Sequence, residues 1–183
     1  DPETGIMYIF SKSDVGRMSM SNRPDRSDMD YINLQSRNAP RLFVDGLPLI
    51  KPPYGQIVAL DLNEGEKLWD AVHGETPDSI RNHPALEGLD IPATGQAGRV
   101  GVLLTKTLVI AGDGGSYTNA DGEQEALLRA YDKFTGEQLG SLAMPAQQTG
   151  SPMTYAIDGV QYLAVAISGG DVPGRLRIYS YEP

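Results

Sequence analysis

Ala59-Leu60-Asp61-Leu62-Asn63-Glu64-Gly65-Glu66-Lys67-Leu68-Trp69 can be laid residue for residue over Ala130-Tyr131-Asp132-Lys133-Phe134-Thr135-Gly136-Glu137-Gln138-Leu139-Gly140. Both copies read Ala-x-Asp-x-x-x-Gly-Glu-x-Leu. In such a pattern a strand ends at the Asp, whose carboxylate can accept from the turn amides, the Gly takes a positive φ, and the next strand starts at the Glu. A weaker echo, Asp1-Pro2-Glu3-Thr4-Gly5, leads into the apolar run Ile6 to Phe10. One turn repeated among short strands is the mark of a repeat architecture, in which a single sheet cannot bury both faces alone. The two clear copies lie farther apart than the about 40 to 50 residues of a compact propeller blade, so loops are expected between blades.

Outward from the repeat, short apolar runs bounded by Gly, Pro, Asn and Asp dominate, and long 3.6-period stripes are few. Strands are expected at Ile6 to Phe10, Gln56 to Asp61, Lys67 to Val72, Val100 to Thr105, Thr107 to Ala111 and Leu127 to Tyr131. Others are expected at Gln138 to Ala143, Pro152 to Ile157, Gln161 to Ser168 and Leu176 to Tyr181. Asn63-Glu64-Gly65, Thr135-Gly136 and Asp158-Gly159 punctuate hairpins. Such strands suit a sandwich, a barrel or a propeller, and the repeat selects the last. The expectation is an all-β chain, a partial β-propeller of about three four-stranded antiparallel blades with long inter-strand loops. Residues 1–183 form one segment, with 17–50 and 73–98 as loop insertions and a short helical turn from Pro77 to Asn82.

The 183 residues carry 15 basic and 24 acidic side chains, a formal charge of −9, 40% hydrophobic residues and no cysteine. The acidic balance without a basic block argues against nucleic acid as a partner and disfavours anionic membrane surfaces. Its apolar runs, such as Tyr162 to Ile167, fall far short of the about 18 residues of a membrane span. Without cysteine there is no disulfide framework, thiolate nucleophile or zinc-thiolate site. The amino end lacks an initiator Met and the basic and apolar regions of a signal peptide, so the chain is expected to start mid-domain.

With Trp69 closing its first copy, the turn motif resembles the repeat of the pyrroloquinoline quinone (PQQ) dependent dehydrogenases. These are eight-bladed propellers in which such tryptophans dock one blade against the next. Lys51-Pro52-Pro53-Tyr54-Gly55, Leu127-Leu128-Arg129-Ala130-Tyr131-Asp132 and Gly150-Ser151-Pro152-Met153-Thr154-Tyr155 with Gln161-Tyr162 are similar to the carboxyl-terminal part of the glucose-dehydrogenase-like branch. The likeness is nearly continuous from Lys51 onward and gives nothing to align over Arg17 to Pro40. It implies an oxidoreductase that moves a hydride from a sugar or alcohol carbon to the bound quinone. Calcium polarises the quinone, an aspartate takes the proton, and electrons pass to a quinone or cytochrome acceptor in the periplasm. By the resemblance this chain holds the last three or so blades. The calcium ligands and the catalytic aspartate would precede Asp1, so the catalytic residue is unknown and the segment inactive alone. The alternative is a non-catalytic propeller-like binding or scaffold module. An open series of blades exposes an apolar face at each end, from which self-association or pairing with the missing blades is expected.

Cofactor contacts follow from the resemblance at three corners. The segment Gln96-Ala97-Gly98-Arg99-Val100-Gly101 matches one that lies beside the quinone, so Gly98 and Arg99 are candidates, Arg99 as partner of a quinone carboxylate or else as a solvated loop residue. Gly169 and Gly170 match a glycine-rich corner; Asp171 stands where relatives often place Trp or His, and an ordinary loop is the competing reading. Lys12, in Ser11-Lys12-Ser13-Asp14, stands where relatives often place Asn and either binds a carboxylate or is solvated. Among other residues, His73 and His83 are read as surface histidines without metal partners, and Asn119 to Glu123 as a turn. Asp113-Gly114-Gly115-Ser116 is read as a loop, and Trp69 as blade packing rather than cofactor stacking.

Overall fold

β1 (Ile6–Lys12) pairs antiparallel with β6 (Gly55–Asp61), which pairs with β7 (Glu66–Val72) to make a first sheet. Between β1 and β6 lie two short ribbons, β2 (Met20–Ser21) with β3 (Ile32–Asn33) and β4 (Phe43–Val44) with β5 (Leu47–Pro48). A second sheet runs β8 (Leu103–Leu104), β9 (Leu108–Gly112), β11 (Gln124–Asp132) and β12 (Gln138–Met144), with β10 (Tyr117–Thr118) on the edge of β11. The third is β13 (Met153–Ile157), β14 (Val160–Gly169) and β15 (Val172–Tyr181). This computed structural model describes residues 1–15, 19–33 and 42–181, so part of the expected 17–50 insertion lies outside the described residues.

The three antiparallel sheets are propeller blades, the first and third of them with three strands each. The second alone follows a four-strand meander, and β1, β6 and β7 correspond to its last three strands. All three Asp-x-x-x-Gly turns close alike. Gly5, Gly65 and Gly136 have φ of 72°, 73° and 75°, and their amides donate to the carbonyls of Asp1, Asp61 and Asp132 at 2.9, 2.9 and 3.0 Å. The Asp carboxylates accept from turn amides: Asp61 Oδ1 from Asn63, Asp132 Oδ1 from Phe134 and Thr135, each at 2.8 Å, and Asp1 Oδ1 from Glu3 at 3.1 Å. The shared Leu of the motif has a role too. Ala59 faces Trp69 while Leu60 faces Lys67, and Ala130 faces Gly140 while Tyr131 faces Gln138, so Leu68 and Leu139 are the bulged residues of their ladders. The first bulge is followed by Trp69, whose side chain it turns toward the second sheet; the second is followed by Gly140.

Period-two alternation divides the central strands between two cores. On β11, Ala126 and Leu128 join Met144, Ala146, Val165 and Ile167 between the second and third sheets. Tyr131, with Val109 and Ala111, faces the first sheet, where Ile57 is buried against them and Tyr8, Phe10, Trp69 and Ala71 pack around. Trp69 docks the first sheet on the second as blade packing. Its Nε1 donates to the Lys133 carbonyl at 3.1 Å, and its ring lies so close to Gly136 that a Cβ there would stand 2.5 Å from Cε3.

Two expectations are corrected. The strand expected over Val100 to Thr105 contracts to Leu103–Leu104, because Gly101 gives its carbonyl to the Gln148 side chain rather than to a ladder. His73 is not a surface residue: it is fully buried, because its imidazole finds polar partners inside the second sheet. Over 73–98 the chain forms the expected helical turn, α1 (Asp78–Arg81). The Asp78 carboxylate accepts from Thr118 N at 3.0 Å and Thr118 Oγ1 at 2.6 Å, which clips this segment to β10. Half-exposed His83 donates from Nε2 to the Asp45 carbonyl at 2.6 Å, so that the β4–β5 ribbon is tied down as well.

Candidate functional site

The ends of β1 and β9 and the approaches to β8 and β13 meet at one edge of the sheets, and there a cleft of about 540 Å³ opens between them. Lys12 and Asp14 come from the end of β1, Ala97, Gly98 and Arg99 from the approach to β8, Gly114 from beyond β9, and Gln147, Gln148 and Thr149 from the approach to β13. The sequence reading had named Lys12, Gly98 and Arg99 separately, and the fold brings them together. Lys12 pairs with Asp14 at 3.0 Å with both side chains about half exposed, and Arg99 is exposed. Gly169 stands behind Gln147, where a Cβ would lie 3.3 Å from that side chain. Gly170, with φ of 56°, is a turn residue, and neither glycine is among the residues that line the cleft.

Behind the cleft lies a buried polar network of which the sequence reading found no member. Asp113, fully buried, accepts from Arg129 Nε at 2.7 Å and from its terminal nitrogen at 3.2 Å. Arg129 also donates to Glu75 and Gln138, each at 3.0 Å. Burial opposes the Arg129 charge, but Asp113 and Glu75 outweigh it and hold the pKa above the ordinary guanidinium value. His73 Nε2 lies 3.1 Å from the Gly112 carbonyl, which can only accept; that nitrogen therefore carries the proton. Its Nδ1 then accepts from the Tyr131 hydroxyl at 2.8 Å. Burial pushes the His73 pKa down against the pull of Asp113, and burial pushes the Tyr131 hydroxyl up, so both stand neutral. The Asp113 to Ser116 loop is a loop, as expected, yet its first residue anchors the network. Arg129 alternates with apolar neighbours on β11 and carried the signal: a charge inside a buried strand requires a partner.

Asn119 closes the expected turn, its Oδ1 accepting from Asp121 N and Glu123 N at 3.0 Å each. Among the described residues no three His, Asp or Glu side chains gather as a metal site, and no helix is long and apolar enough to cross a membrane.

The sequence matches the family model described as "PQQ: Glucose/ethanol/alcohol dehydrogenase, beta-propeller domain" over residues 3–163. The chain belongs to this family of quinoprotein dehydrogenase propellers. It is similar to quinoprotein glucose dehydrogenase A of Acinetobacter calcoaceticus, 28% identical over 124 residues, and to quinoprotein glucose dehydrogenase of Escherichia coli, 32% identical over 131. Each match takes in 68% of this chain and 14% of the relative. The 1-butanol dehydrogenase (cytochrome c) of Thauera butanivorans is 26% identical over 134 residues, 73% of this chain and 15% of that protein. The chain therefore spans about one-seventh of the length of these quinoproteins.

The family implies PQQ, a planar quinone bearing carboxylates, and the residues of the cleft fit such a group. Two cations stand at its border, and its base is backbone: a Cβ on Gly98 would lie 2.5 Å from Gly114 Cα. A flat anion can approach such a surface closely. The described residues do not fit calcium, for want of a ligand cluster.

Proposed function

We propose that this chain forms one arc of the cofactor site of a PQQ-dependent dehydrogenase that oxidises a sugar or alcohol in the periplasm and passes electrons to a quinone or cytochrome. The observation that supports this reading is the convergence of Lys12, Gly98 and Arg99 on one cleft from two sheets. Bound there, PQQ supplies the acceptor for the hydride that leaves the CH–OH carbon. Lys12 and Arg99 hold carboxylates, Lys12 exchanging its contact with Asp14 for the ligand. Gly98 and Gly114 let the ligand lie against the main chain, and Gln147 and Thr149 close the side toward the third sheet and restrict water there. The catalytic base and calcium belong to blades outside this chain, so that this segment binds PQQ without turnover and pairs with those blades or with itself.

Calorimetric titration with PQQ, with and without calcium, beside a dye-reduction assay on glucose and simple alcohols, tests the proposal. Saturable binding without dye reduction is the expected result. No binding under either condition would overturn the cofactor site and leave a scaffold role.

A further inference from the structure

Two stretches of main chain touch at the base of the cleft. A Cβ on Gly98 would stand 2.5 Å from Gly114 Cα, and one on Gly114 would stand 2.7 Å from Gly98 Cα. No ladder hydrogen bond joins these stretches, and two side chains span them instead: Gln96, half-buried, donates from Nε2 to the Ser116 carbonyl at 3.3 Å, and Gln148 makes the shorter and more buried tie. Gln148, 2% exposed, accepts at Oε1 from Gly112 N at 2.6 Å and donates from Nε2 to the Gly101 carbonyl at 2.8 Å. Its own main-chain amide donates to the Asp113 carbonyl at 2.9 Å. Gly112 N can only donate and the Gly101 carbonyl can only accept, so the amide has one permitted orientation. The same side chain borders the cleft.

We propose that Gln148 is a positioning residue for the cofactor: it sets the spacing of the Gly98 and Gly114 segments, and through them the affinity of the cleft for a planar carboxylated quinone. The proposal rests on the cofactor reading above. The tie needs an acceptor and a donor at one reach. Glutamine has both, an ionised glutamate has acceptors only, and a protonated glutamic acid regains the donor. Gln148→Glu therefore turns the tie into one that pH can open and close without changing its size.

The test is titration of PQQ into the full chain, wild type and Gln148→Glu, from pH 8 to pH 5, following heat and the amide resonances of Gly98 and Gly114. Val165→Ala, in the apolar core between the second and third sheets, is the control for lost stability. The expected result is about tenfold weaker binding by Gln148→Glu at pH 8, with shifted Gly98 and Gly114 amides. The ratio to wild type should close as the pH falls and the introduced carboxyl protonates, while Val165→Ala binds as wild type does. Wild-type binding with Gln148→Glu unchanged, or weakened by the same factor at every pH, would overturn the positioning role and leave the cofactor reading intact. Failure of the wild type to bind would overturn both.

Discussion

The first and second sheets meet around a mixture of apolar side chains and buried charged or ring-bearing polar ones, whereas the second and third sheets meet mainly over Ala126, Leu128, Met144, Ala146, Val165 and Ile167, with Gln148 at the cleft end of that interface. The apolar interface is non-directional, and many packings of similar volume would serve it. The mixed interface is not interchangeable in this way. Every polar group buried there needs its partner at one distance and angle, so Asp113, Arg129, His73 and Tyr131 fix where β9 ends and where its last carbonyls point. β9 ends beside the cleft. Orientation is concentrated beside the cleft, and undirected burial suffices where sheets only need to adhere.

The sharpest way to break this contrast is to remove one partner from each interface. Asp113→Ala takes from the buried Arg129 guanidinium its nearest carboxylate, leaving it Glu75 and Gln138, and should cost about 3 to 5 kcal/mol in urea unfolding. Ile167→Ala, which opens a void in the apolar interface, should cost about 2 to 4 kcal/mol. PQQ binding separates them further: it should be lost with Asp113→Ala and kept with Ile167→Ala. Equal binding by the two variants would mean that the polar network does not organise the cleft.

The repeated turn allows a finer comparison, since its two glycines share a conformation and differ in surroundings. Gly65 has φ of 73° and nothing within 4 Å of a Cβ, while Gly136 has φ of 75° and the Trp69 ring 2.5 Å away. Gly65→Ala should therefore cost only the backbone term, about 1 kcal/mol. Gly136→Ala should cost about 2 to 3 kcal/mol, because Trp69 must leave its seat and its bond to the Lys133 carbonyl. Equal losses in denaturant midpoint would show that Trp69 does not dock the first two sheets.

A smaller effect is set by pH. His73 is buried and neutral with its pKa lowered, so below about pH 6.5 the unfolded chain takes up a proton that the folded chain refuses. Stability is present in full above that pH and falls as the pH drops toward the folded value, by at most about 1.4 kcal/mol per pH unit. Asp78 and Asp132, whose pKa values are lowered, lose their contributions only at more acid pH. The slope between pH 7 and 5 should therefore flatten in His73→Gln. An unchanged slope would assign it to another group.

These contrasts also mark how much the sequence disclosed. The turns were legible because Asp, Gly and the bulged Leu act within a few residues of one another, where spacing along the chain is spacing in space. Trp69 was legible as packing by its place in the repeat. Lys12, Gly98 and Arg99 could be named by likeness to the family, but nothing local says that a strand end and a loop about 90 residues on share a cleft. Gln148 and His73 were not legible as buried polar groups. An amide has no periodic signature, and a histidine just past a strand end in a polar segment reads as solvated until the neighbouring sheet covers it.

By itself the sequence determined most of the long strands and the Asp-x-x-x-Gly turns, because these follow from alternation, backbone preference and short-range hydrogen bonds, and its likeness to known quinoproteins gave the family. Only the tertiary structure decided which polar side chains are buried, which partner each one meets and which loops enclose the cleft. The reason is physical. A buried polar group is stable only when its partner is present, and here the partners are far apart along the chain, 16 residues for Asp113 and Arg129, 58 for His73 and Tyr131, and 47 for Gln148 and Gly101.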